Sequence, residues 1–220
     1  MKVGTDGVLL GCWTHIPASG FASIIDAGCG CGLLALMMAQ RTSWANITGI
    51  DIDPGAVADA HDNVAASPWS GRVKILEGDI LGCKPEVAHP LLIISNPPFF
   101  TETLRSPDGE RALARHGDTF GVTELIEWSA GLMTEDDDRL AFIAPADRDA
   151  EIDYHLAIAR LNPLRRCSVS SREGRKPIRT LWETGRALLP CIKSQLDIRD
   201  SSNTLTPEYL ALTSAFYLDK

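Results

Sequence analysis

The chain has 220 residues, of which 45% are hydrophobic, and its formal net charge is −8 at pH 7. This length can bury a full hydrophobic core, and we expect one α/β domain spanning residues 1–220 rather than two small ones. No apolar run approaches the length of a membrane-spanning helix, and the start of the chain lacks the pattern of a secretion signal. We therefore expect a soluble, cytoplasmic protein. The acidic balance argues against indiscriminate nucleic-acid binding but leaves room for a local basic patch.

Six cysteines are scattered along the chain at spacings that fit neither a zinc site nor a disulfide framework. Two of them, Cys29 and Cys31, lie between glycines, where their small size is reason enough for their presence. The sequence therefore predicts no metal site.

The first segment, residues 2–11, is apolar and punctuated by glycines. It predicts a turn that leads into a short helix near residues 8–13. Physical chemistry alone assigns this segment no function.

A glycine-rich run, DAGCGCG at residues 26–32, follows a strand predicted over residues 21–25 and precedes an apolar helix predicted over residues 33–39. This order is typical of a loop that binds a nucleotide or cofactor, because glycines let the backbone approach a ligand and point N–H groups at it. The candidate cofactor-binding residues in this run are Asp26, Gly28 and Gly30.

Two carboxylates follow the second strand, which is predicted over residues 46–52. Asp51 lies 19 residues after Gly32, where an acidic side chain binds ribose hydroxyls in this architecture. Asp53 is followed by Pro54, which is a helix-start signal. We therefore assign a ligand role to Asp51 and mainly a structural role to Asp53.

Asp79 follows the third strand, predicted over residues 73–76, and is able to accept a hydrogen bond from an adenine amino group. Taken alone, it fits a solvated turn equally well. Together with Asp26, the glycines and Asp51 it implies an adenosine-containing ligand, and the adjacent Ile80 is included in the predicted cofactor site.

The fourth strand is an apolar run at residues 91–94 that ends at Ser95-Asn96-Pro97-Pro98-Phe99-Phe100. The two prolines predict a rigid, non-helical turn at the carboxyl end of a buried strand. Ligands bind at that end of strands in open α/β sheets, and the amide oxygen of Asn96 can accept from an exocyclic amino group. Phe99 is placed to stack on a planar ring. The alternative is a proline turn with core phenylalanines, and the motifs upstream favour the ligand site.

A polar stretch at residues 101–119 follows this turn. A segment this long after a strand end is more often a functional loop or lid than a connection, although a solvated charged loop is the alternative. Its candidate substrate-binding residues are Arg105, Arg111, Arg115 and His116.

The remaining chain predicts scaffold elements. An acidic run at residues 135–138 precedes a strand, so it is expected at the N-terminal edge of that strand, away from the site. The predicted elements are helices over residues 122–133 and 151–161, strands over 139–144, 166–170, 178–187 and 188–198, and a capped helix start at Thr206-Pro207-Glu208.

The most basic segment of the chain lies between two of these strands, at residues 171–177. It predicts either a solvated hairpin tip or a patch that binds phosphates. Its candidate substrate-binding residues, with the strand residue that follows it, are Arg172, Arg175, Lys176 and Arg179.

Four motifs follow the ends of the predicted strands: the glycine loop, Asp51, Asp79 and Asn96-Pro97-Pro98-Phe99. Together they resemble those of the Rossmann-like S-adenosylmethionine-dependent methyltransferases. The Asn-Pro-Pro-Phe form is typical of members that methylate amino nitrogens of adenine, guanine or cytosine or glutamine amides of proteins. A dehydrogenase shares the glycine loop but not this turn. The resemblance implies an α/β class I fold with a mostly parallel seven-stranded sheet, helices on both faces and an antiparallel C-terminal hairpin.

Several shorter pieces resemble one family in particular, the bacterial tRNA1(Val) (adenine(37)-N6)-methyltransferases. The resemblance spans nearly the whole chain, and the terminal pieces and the ARH loop discriminate this family from its relatives. Its members usually carry a short basic and aromatic segment before the KVGTDG motif, whereas Met1 abuts that motif here. We expect a start assigned too far downstream or a missing part of the RNA-binding edge, which affects affinity more than chemistry. The pieces are KVGTDGVLLG at 2–11, NPPFF at 96–100, LRSP at 104–107, ARH at 114–116, and YL and FYL at 209–210 and 216–218.

The resemblance implies a role for each motif. Gly28 and Gly30 would hold the methionine part of S-adenosylmethionine, Asp51 its ribose and Asp79 its adenine amino group. The predicted cofactor-binding residues are Asp26, Gly28, Gly30, Asp51, Asp79, Ile80 and Asn96. The predicted catalytic residues are Asn96, Pro97 and Phe99, through the Asn96 side chain, the Pro97 carbonyl and the Phe99 ring.

The implied partner is tRNA, with an anticodon-loop adenine as the target, no membrane, no metal and a monomeric enzyme. The predicted substrate contacts are Phe100, Arg105, Arg111, Arg115, His116, Arg172, Arg175, Lys176 and Arg179. Two other functions stay open. One is a protein-glutamine N5-methyltransferase, which has no use for the basic segment, and the other is a non-catalytic, cofactor-binding RNA-associated protein.

Overall fold

The computed structural model describes residues 4–98 and 120–217. Eight strands form one sheet in the order β3-β2-β1-β4-β5-β7-β6-β8. The strands are β1 Ser23–Ala27, β2 Asn46–Asp51, β3 Val73–Glu77, β4 Leu91–Ser95, β5 Arg139–Pro145, β6 Asn162–Ser170, β7 Arg179–Gly185 and β8 Ile192–Asp197. The helices are α1 Thr5–Trp13, α2 Leu33–Arg41, α3 Pro54–Ala65, α4 Val122–Leu132, α5 Asp149–Ile158 and α6 Pro207–Thr213, with short 3-10 turns at Ile80–Gly82 and Ala146–Arg148.

The sheet is mostly parallel. Strands β1 to β5 run in one direction, β7 is antiparallel to both β5 and β6, and β8 is parallel to β6. The carboxyl ends of β1 to β6 therefore share one side of the sheet, which we call the carboxyl edge, and their starts share the amino edge. This arrangement confirms the expected α/β fold and the antiparallel hairpin near the C-terminus.

The number of strands differs from the expected seven. Strand β8 joins the same sheet through a parallel register with β6 that runs from Arg165↔Ile192 to Ser170↔Asp197. It also starts four residues later than the predicted strand over 188–198, since Pro190 has no N–H to donate to a ladder. Only Leu196 of β8 is buried, so little apolar pattern marks this edge strand.

Two hydrophobic clusters cover the two faces of the sheet. Strand β4 contributes alternate residues to both, with Leu92 and Ile94 in the cluster that includes α1 to α3 and Leu91 and Ile93 in the cluster that includes α4 and α5. All four side chains are fully buried. A strand buried on both faces reads as a continuous apolar run, which is why β4 was recognisable in the sequence.

The predicted helix starts at the two proline motifs are confirmed. The Asp53 carboxylate accepts a hydrogen bond from Gly55 N at 2.9 Å at the start of α3. The Thr206 hydroxyl accepts from Tyr209 N at 3.2 Å at the start of α6. Each capping side chain satisfies an amide that has no partner inside the helix.

Asp138 joins three segments at the amino edge. Its carboxylate is fully buried and accepts hydrogen bonds from Leu91 N at 2.8 Å, Thr134 N at 2.8 Å and Glu135 N at 2.9 Å. His89 Nδ1 lies 2.8 Å from the same group. The acidic run does lie at the amino edge as predicted, but its last member is a buried structural group rather than a surface charge.

Replacing Asp138 by alanine leaves these buried amides without an acceptor. We expect Asp138→Ala to lower the free energy of unfolding by about 3 kcal/mol. The exposed neighbour provides a matched control, because Asp137→Ala should change it by less than about 0.5 kcal/mol. Urea unfolding of the two variants measures both values, and equal losses would contradict the structural role of Asp138.

Candidate active site

The carboxyl edge brings together the motifs that the sequence singled out. The glycine loop follows β1, Asp51 ends β2, Asp79 follows β3 and Asn96 follows β4. Because β1 lies between β2 and β4 in the sheet, the glycine loop lies at the centre of this group. The edge is therefore a plausible location for one extended ligand.

The glycine loop has a backbone conformation that other residues rarely adopt. Gly28, Gly30 and Gly32 have φ values of 71°, 54° and 80°. The loop is tied to the neighbouring strand, since the amides of Gly28 and Cys29 donate to the Ile50 carbonyl at 2.9 and 3.0 Å. Glycine at these positions avoids the steric penalty of a Cβ atom and leaves the backbone accessible to a ligand.

Asp51 is held by two backbone amides. Its Oδ2 accepts from Gly30 N at 2.7 Å and its Oδ1 accepts from Asp53 N at 3.0 Å. The side chain is half-buried, so its orientation is fixed while part of it faces the edge. Each carboxylate oxygen can accept more than one hydrogen bond, which leaves capacity for ligand hydroxyls.

Asp26 is a fully buried carboxyl group with one oxygen satisfied. Its Oδ2 accepts from Ala35 N at 2.8 Å, whereas Oδ1 is buried without a partner among the described residues. Burial raises the pKa of Asp26 to about 7, and the Asp51 charge adds to that rise, while the Ala35 hydrogen bond opposes it. A buried acceptor that lacks a donor fits a site that receives a donor or a cation from a ligand.

Asp26→Asn tests whether burial shifts the titration of this group. The pKa is higher in the folded than in the unfolded chain, so the carboxyl favours folding at low pH and loses that contribution as the pH rises through about 7. Between about pH 5.5 and about pH 8.5 the wild type should lose about 2 kcal/mol more free energy of unfolding than the variant, which cannot titrate there. Urea unfolding at both pH values measures the difference. An identical pH dependence in the two proteins would contradict the raised pKa.

Asn96 lies directly beside the glycine loop. The Ser95 hydroxyl donates to the Ala27 carbonyl at 2.6 Å, which joins the carboxyl ends of β4 and β1. The Asn96 side chain is half-buried, and its Oδ1 is buried with no hydrogen-bond partner in the described part of the chain. Pro97 is buried and rigid, so the turn holds an unused amide acceptor in a fixed place.

The two residues predicted after β3 differ in exposure. Asp79 is exposed, and its Oδ1 accepts from Leu81 N at 3.0 Å at the start of the short 3-10 turn. Ile80 is only 4% exposed and belongs to the core under the site. Their cofactor roles stay predictions.

Sequence reasoning missed two apolar side chains at this edge. Ile52, directly after Asp51, is 67% exposed, which is unusual for a large aliphatic residue beside a ligand edge. Phe120 packs its ring against Gly28. The apolar residue between two aspartates, Asp51-Ile52-Asp53, was a usable signal for Ile52. Phe120 had none, because its contact is distant in sequence.

The basic hairpin between β6 and β7 also lies at the carboxyl edge. Arg172 donates to Asn203 Oδ1 at 2.6 Å, and Arg179 forms an ion pair with Asp6 at 2.8 Å. Arg175 and Lys176 are exposed and form no ion pair within residues 4–98 and 120–217. Both Arg172 and Arg179 thus have protein partners, whereas the hairpin tip carries free cations.

Six of the predicted site residues lie outside the residues that the structure describes. They are Phe99, Phe100, Arg105, Arg111, Arg115 and His116. Their roles stay predictions.

In the described ranges there is no group of three or more His, Cys, Asp or Glu side chains able to hold a metal ion. Nor does any helix in those ranges have the length and apolar character needed to cross a membrane.

Known proteins resemble the chain over most of its length. Residues 8–117 match the family model of the methyltransferase small domain. The tRNA1(Val) (adenine(37)-N6)-methyltransferase of Tolumonas auensis is 37% identical over 99% of this chain and 90% of its own length. The protein of the same name from Porphyromonas gingivalis strain W83 is 40% identical over 99% of this chain and 89% of its own length.

The chain belongs to the tRNA1(Val) (adenine(37)-N6)-methyltransferase family. Solved structures agree at the level of the fold. A predicted O-methyltransferase from Agrobacterium tumefaciens, protein Atu636, superimposes with a TM-score of 0.73 at 19% identity and covers 96% of each chain. Magnesium protoporphyrin IX methyltransferase from Synechocystis, solved with bound SAM, has a TM-score of 0.51 at 20% identity and covers 74% of this chain and 69% of its own. The expected Rossmann-like methyltransferase fold is confirmed.

Proposed function

We propose that this protein transfers a methyl group from S-adenosylmethionine to N6 of an adenine in the anticodon loop of tRNA. The names of relatives that match 99% of this chain support adenine 37 of tRNA1(Val) as the target. A cytoplasmic reaction is part of the proposal. The single observation that carries the proposal is the Asn96 carboxamide oxygen, which is buried beside the glycine loop without a partner among the described residues.

The edge residues fit S-adenosylmethionine. The buried Asp26 Oδ1 has no donor in the part of the chain that the structure describes, and the cofactor carries an ammonium group that would favour the ionised carboxylate. Asp51 is oriented by two amides and would accept the ribose hydroxyls. The exposed Ile52 side chain would pack against the adenine, and Asp79 would accept from its amino group.

Asn96 would act on the target amine. Bound S-adenosylmethionine supplies an electrophilic methyl group on a sulfonium. The amine lone pair of adenine is delocalised into the ring, so a nucleophilic geometry requires acceptors placed around its N–H groups. The Asn96 Oδ1 and the Pro97 carbonyl would supply them and would stabilise the positive charge that develops on nitrogen.

No strong general base is required of this chain. The proton of the methylated amine is acidic enough to leave to water after transfer, and Asn96 and Pro97 only accept hydrogen bonds. Asp26 titrates near neutrality but is buried under the glycine loop, tied to Ala35. We therefore assign it to binding rather than to proton removal.

Incubation with a methyl-labelled donor tests the proposed function directly. The protein is mixed with total tRNA or with ribosomal release factors, and the modified residue is identified by mass. We expect label in tRNA as N6-methyladenosine. Label in release factors would favour a protein-glutamine methyltransferase, and no label with retained cofactor binding would favour a non-catalytic RNA-associated protein.

Asn96→Ala separates binding from chemistry. Loss of the acceptor should reduce the rate of methyl transfer to tRNA by about 100-fold or more, as for other preorganised transition-state groups. The dissociation constant for S-adenosylmethionine should stay within about threefold, because the other binding groups remain. Single-turnover rates and calorimetry measure the two quantities.

The control for that variant is Asn46→Ala. Asn46 is exposed and begins β2 at the amino edge, so this change should leave the rate within about twofold. Retained turnover in Asn96→Ala would refute the assignment of Asn96.

The basic hairpin would contact tRNA phosphates. The hairpin joins β6 and β7 and leaves the sheet at the same edge as Asn96. In the sheet, β7 and β6 are two and three strand spacings from β4, which corresponds to about 10 to 15 Å between the strands. Arg172 donates to Asn203 Oδ1 at 2.6 Å and the Glu173 amide donates to the Arg199 carbonyl at 2.8 Å, so the hairpin is braced against the loop after β8. A braced loop loses little entropy when its free cations bind an anion.

Removing the Arg175 and Lys176 charges should weaken tRNA binding and make its affinity less dependent on salt concentration. Each phosphate contact to a single strand contributes about 0.7 to the slope of log affinity against log salt, so Arg175→Ala with Lys176→Ala should reduce its magnitude by about 1.4. Fluorescence titrations of tRNA over a range of salt concentrations measure the slope.

The double variant Lys74→Ala with Lys84→Ala is a charge-matched control. Both lysines are exposed, Lys74 lies on β3 at the far end of the sheet, and the pair removes the same charge. The control should leave the slope unchanged. Equal slopes in all three proteins would place the phosphate contacts elsewhere.

A further inference from the structure

Phe120 is held over the glycine loop by a rigid helix start. Its Cε1 atom lies 3.4 Å from the position that a Cβ on Gly28 would occupy. The next residue begins the cap of α4, where Gly121 N donates to Glu124 Oε2 at 3.1 Å. The first turn of α4 is anchored by Val122 and Leu125, which are 2% and 0% exposed. The position of the ring is therefore fixed by the core.

Packing alone accounts for part of this arrangement. A hydrophobic residue just before a helix cap often contacts the first turn of the helix, and Phe120 does pack against the core cluster of α4. However, Phe120 is only half-buried, whereas Val122 and Leu125 on the first turn of α4 are fully buried. The ring also approaches Gly28, which lies at the carboxyl edge.

The location of Gly28 indicates which part of a bound ligand the Phe120 ring would face. The Ser95 hydroxyl donates to the Ala27 carbonyl at 2.6 Å and so joins the ends of β4 and β1. Gly28 and Asn96 are the next residues after these two strand ends. The methyl donor must lie between the glycine loop and the amine held by Asn96. The sulfonium is thus required to lie in the region that Phe120 flanks.

We propose that Phe120 is a specificity residue whose ring stabilises the sulfonium of S-adenosylmethionine by a cation–π interaction. This inference rests on the proposed function, since it requires that cofactor. S-Adenosylhomocysteine, the product, has a neutral thioether in place of the sulfonium. The ring therefore favours the cofactor over the product, and product is released more readily after each turnover.

Calorimetry without RNA tests the inference by comparing the two ligands. Phe120→Leu keeps an apolar side chain against α4 but removes the π system. We expect its dissociation constant for S-adenosylmethionine to rise about three- to tenfold and that for S-adenosylhomocysteine to change less than about twofold. Phe120→Trp restores a ring and should retain the wild-type ratio of the two constants.

Trp44→Leu is the matched control, because Trp44 is an exposed aromatic residue just before β2, at the amino edge. It should leave both constants unchanged. Equal weakening of both ligands by Phe120→Leu would mean packing only and would overturn the inference, as would unchanged binding of both. If Phe120→Leu does not fold, a loss of ligand discrimination in Phe120→Trp overturns it instead. If the wild type binds no S-adenosylmethionine, the proposed function itself fails, and that result is distinct from a selective failure at Phe120.

Discussion

The site depends on the parallel pairing of β1 with β4 and on the hydrogen bond that closes it. The register Asp26↔Ile94 brings the two strands to the carboxyl edge together, and the buried Ser95 hydroxyl then bonds to the Ala27 carbonyl. Leaving this buried hydroxyl unpaired would cost free energy, so the bond favours the alignment of the two strand ends. The glycine loop and the Asn-Pro-Pro turn leave the sheet at adjacent points. The proposed function requires a methyl donor beside an amine, and neither motif alone would provide that arrangement; the shared exit from the sheet brings the two motifs together.

A second constraint is electrostatic. Among the described residues, Asp26 Oδ1 and Asn96 Oδ1 are buried acceptors without donors where the neighbouring strands β1 and β4 end, and Asp149 Oδ1 and Ser170 Oγ are likewise unpaired near the ends of β5 and β6. Burying a carboxyl group costs free energy, which the raised pKa of Asp26 reports, and only the Ala35 amide offsets part of it. The cost is tolerated because the strands and helices around it are packed in two extensive clusters. This local cost in stability fits the proposed ligand site, since groups that are unfavourable for stability are common at functional sites.

Much of this could be predicted from the sequence because the relevant signals are local. Strand β4 is a continuous apolar run, and Asp53-Pro54 and Thr206-Pro207 are local helix starts. The glycine loop has a left-handed backbone that favours glycine, so its glycines were a local signal as well. The rest could not, for two physical reasons. Strand β8 buries only Leu196, so no periodicity predicted its place at the edge of the sheet. The pairs Arg179 with Asp6, Asp138 with Leu91, and Phe120 with Gly28 are distant in sequence, and only the tertiary fold determines them.

The net charge of −8 is unevenly distributed, so it is compatible with binding of the proposed anionic partner. At the amino edge, Glu135, Asp136 and Asp137 are exposed, and across the sheet from them the hairpin presents Arg175 and Lys176 at the carboxyl edge. Charges separated by more than about 8 Å of solvent are largely screened at physiological ionic strength, and a strand of five or more residues is longer than that. A phosphate at the carboxyl edge therefore interacts mainly with the nearby cations. The acidic edge would repel only an RNA that comes close to it, on the side of the sheet opposite the hairpin.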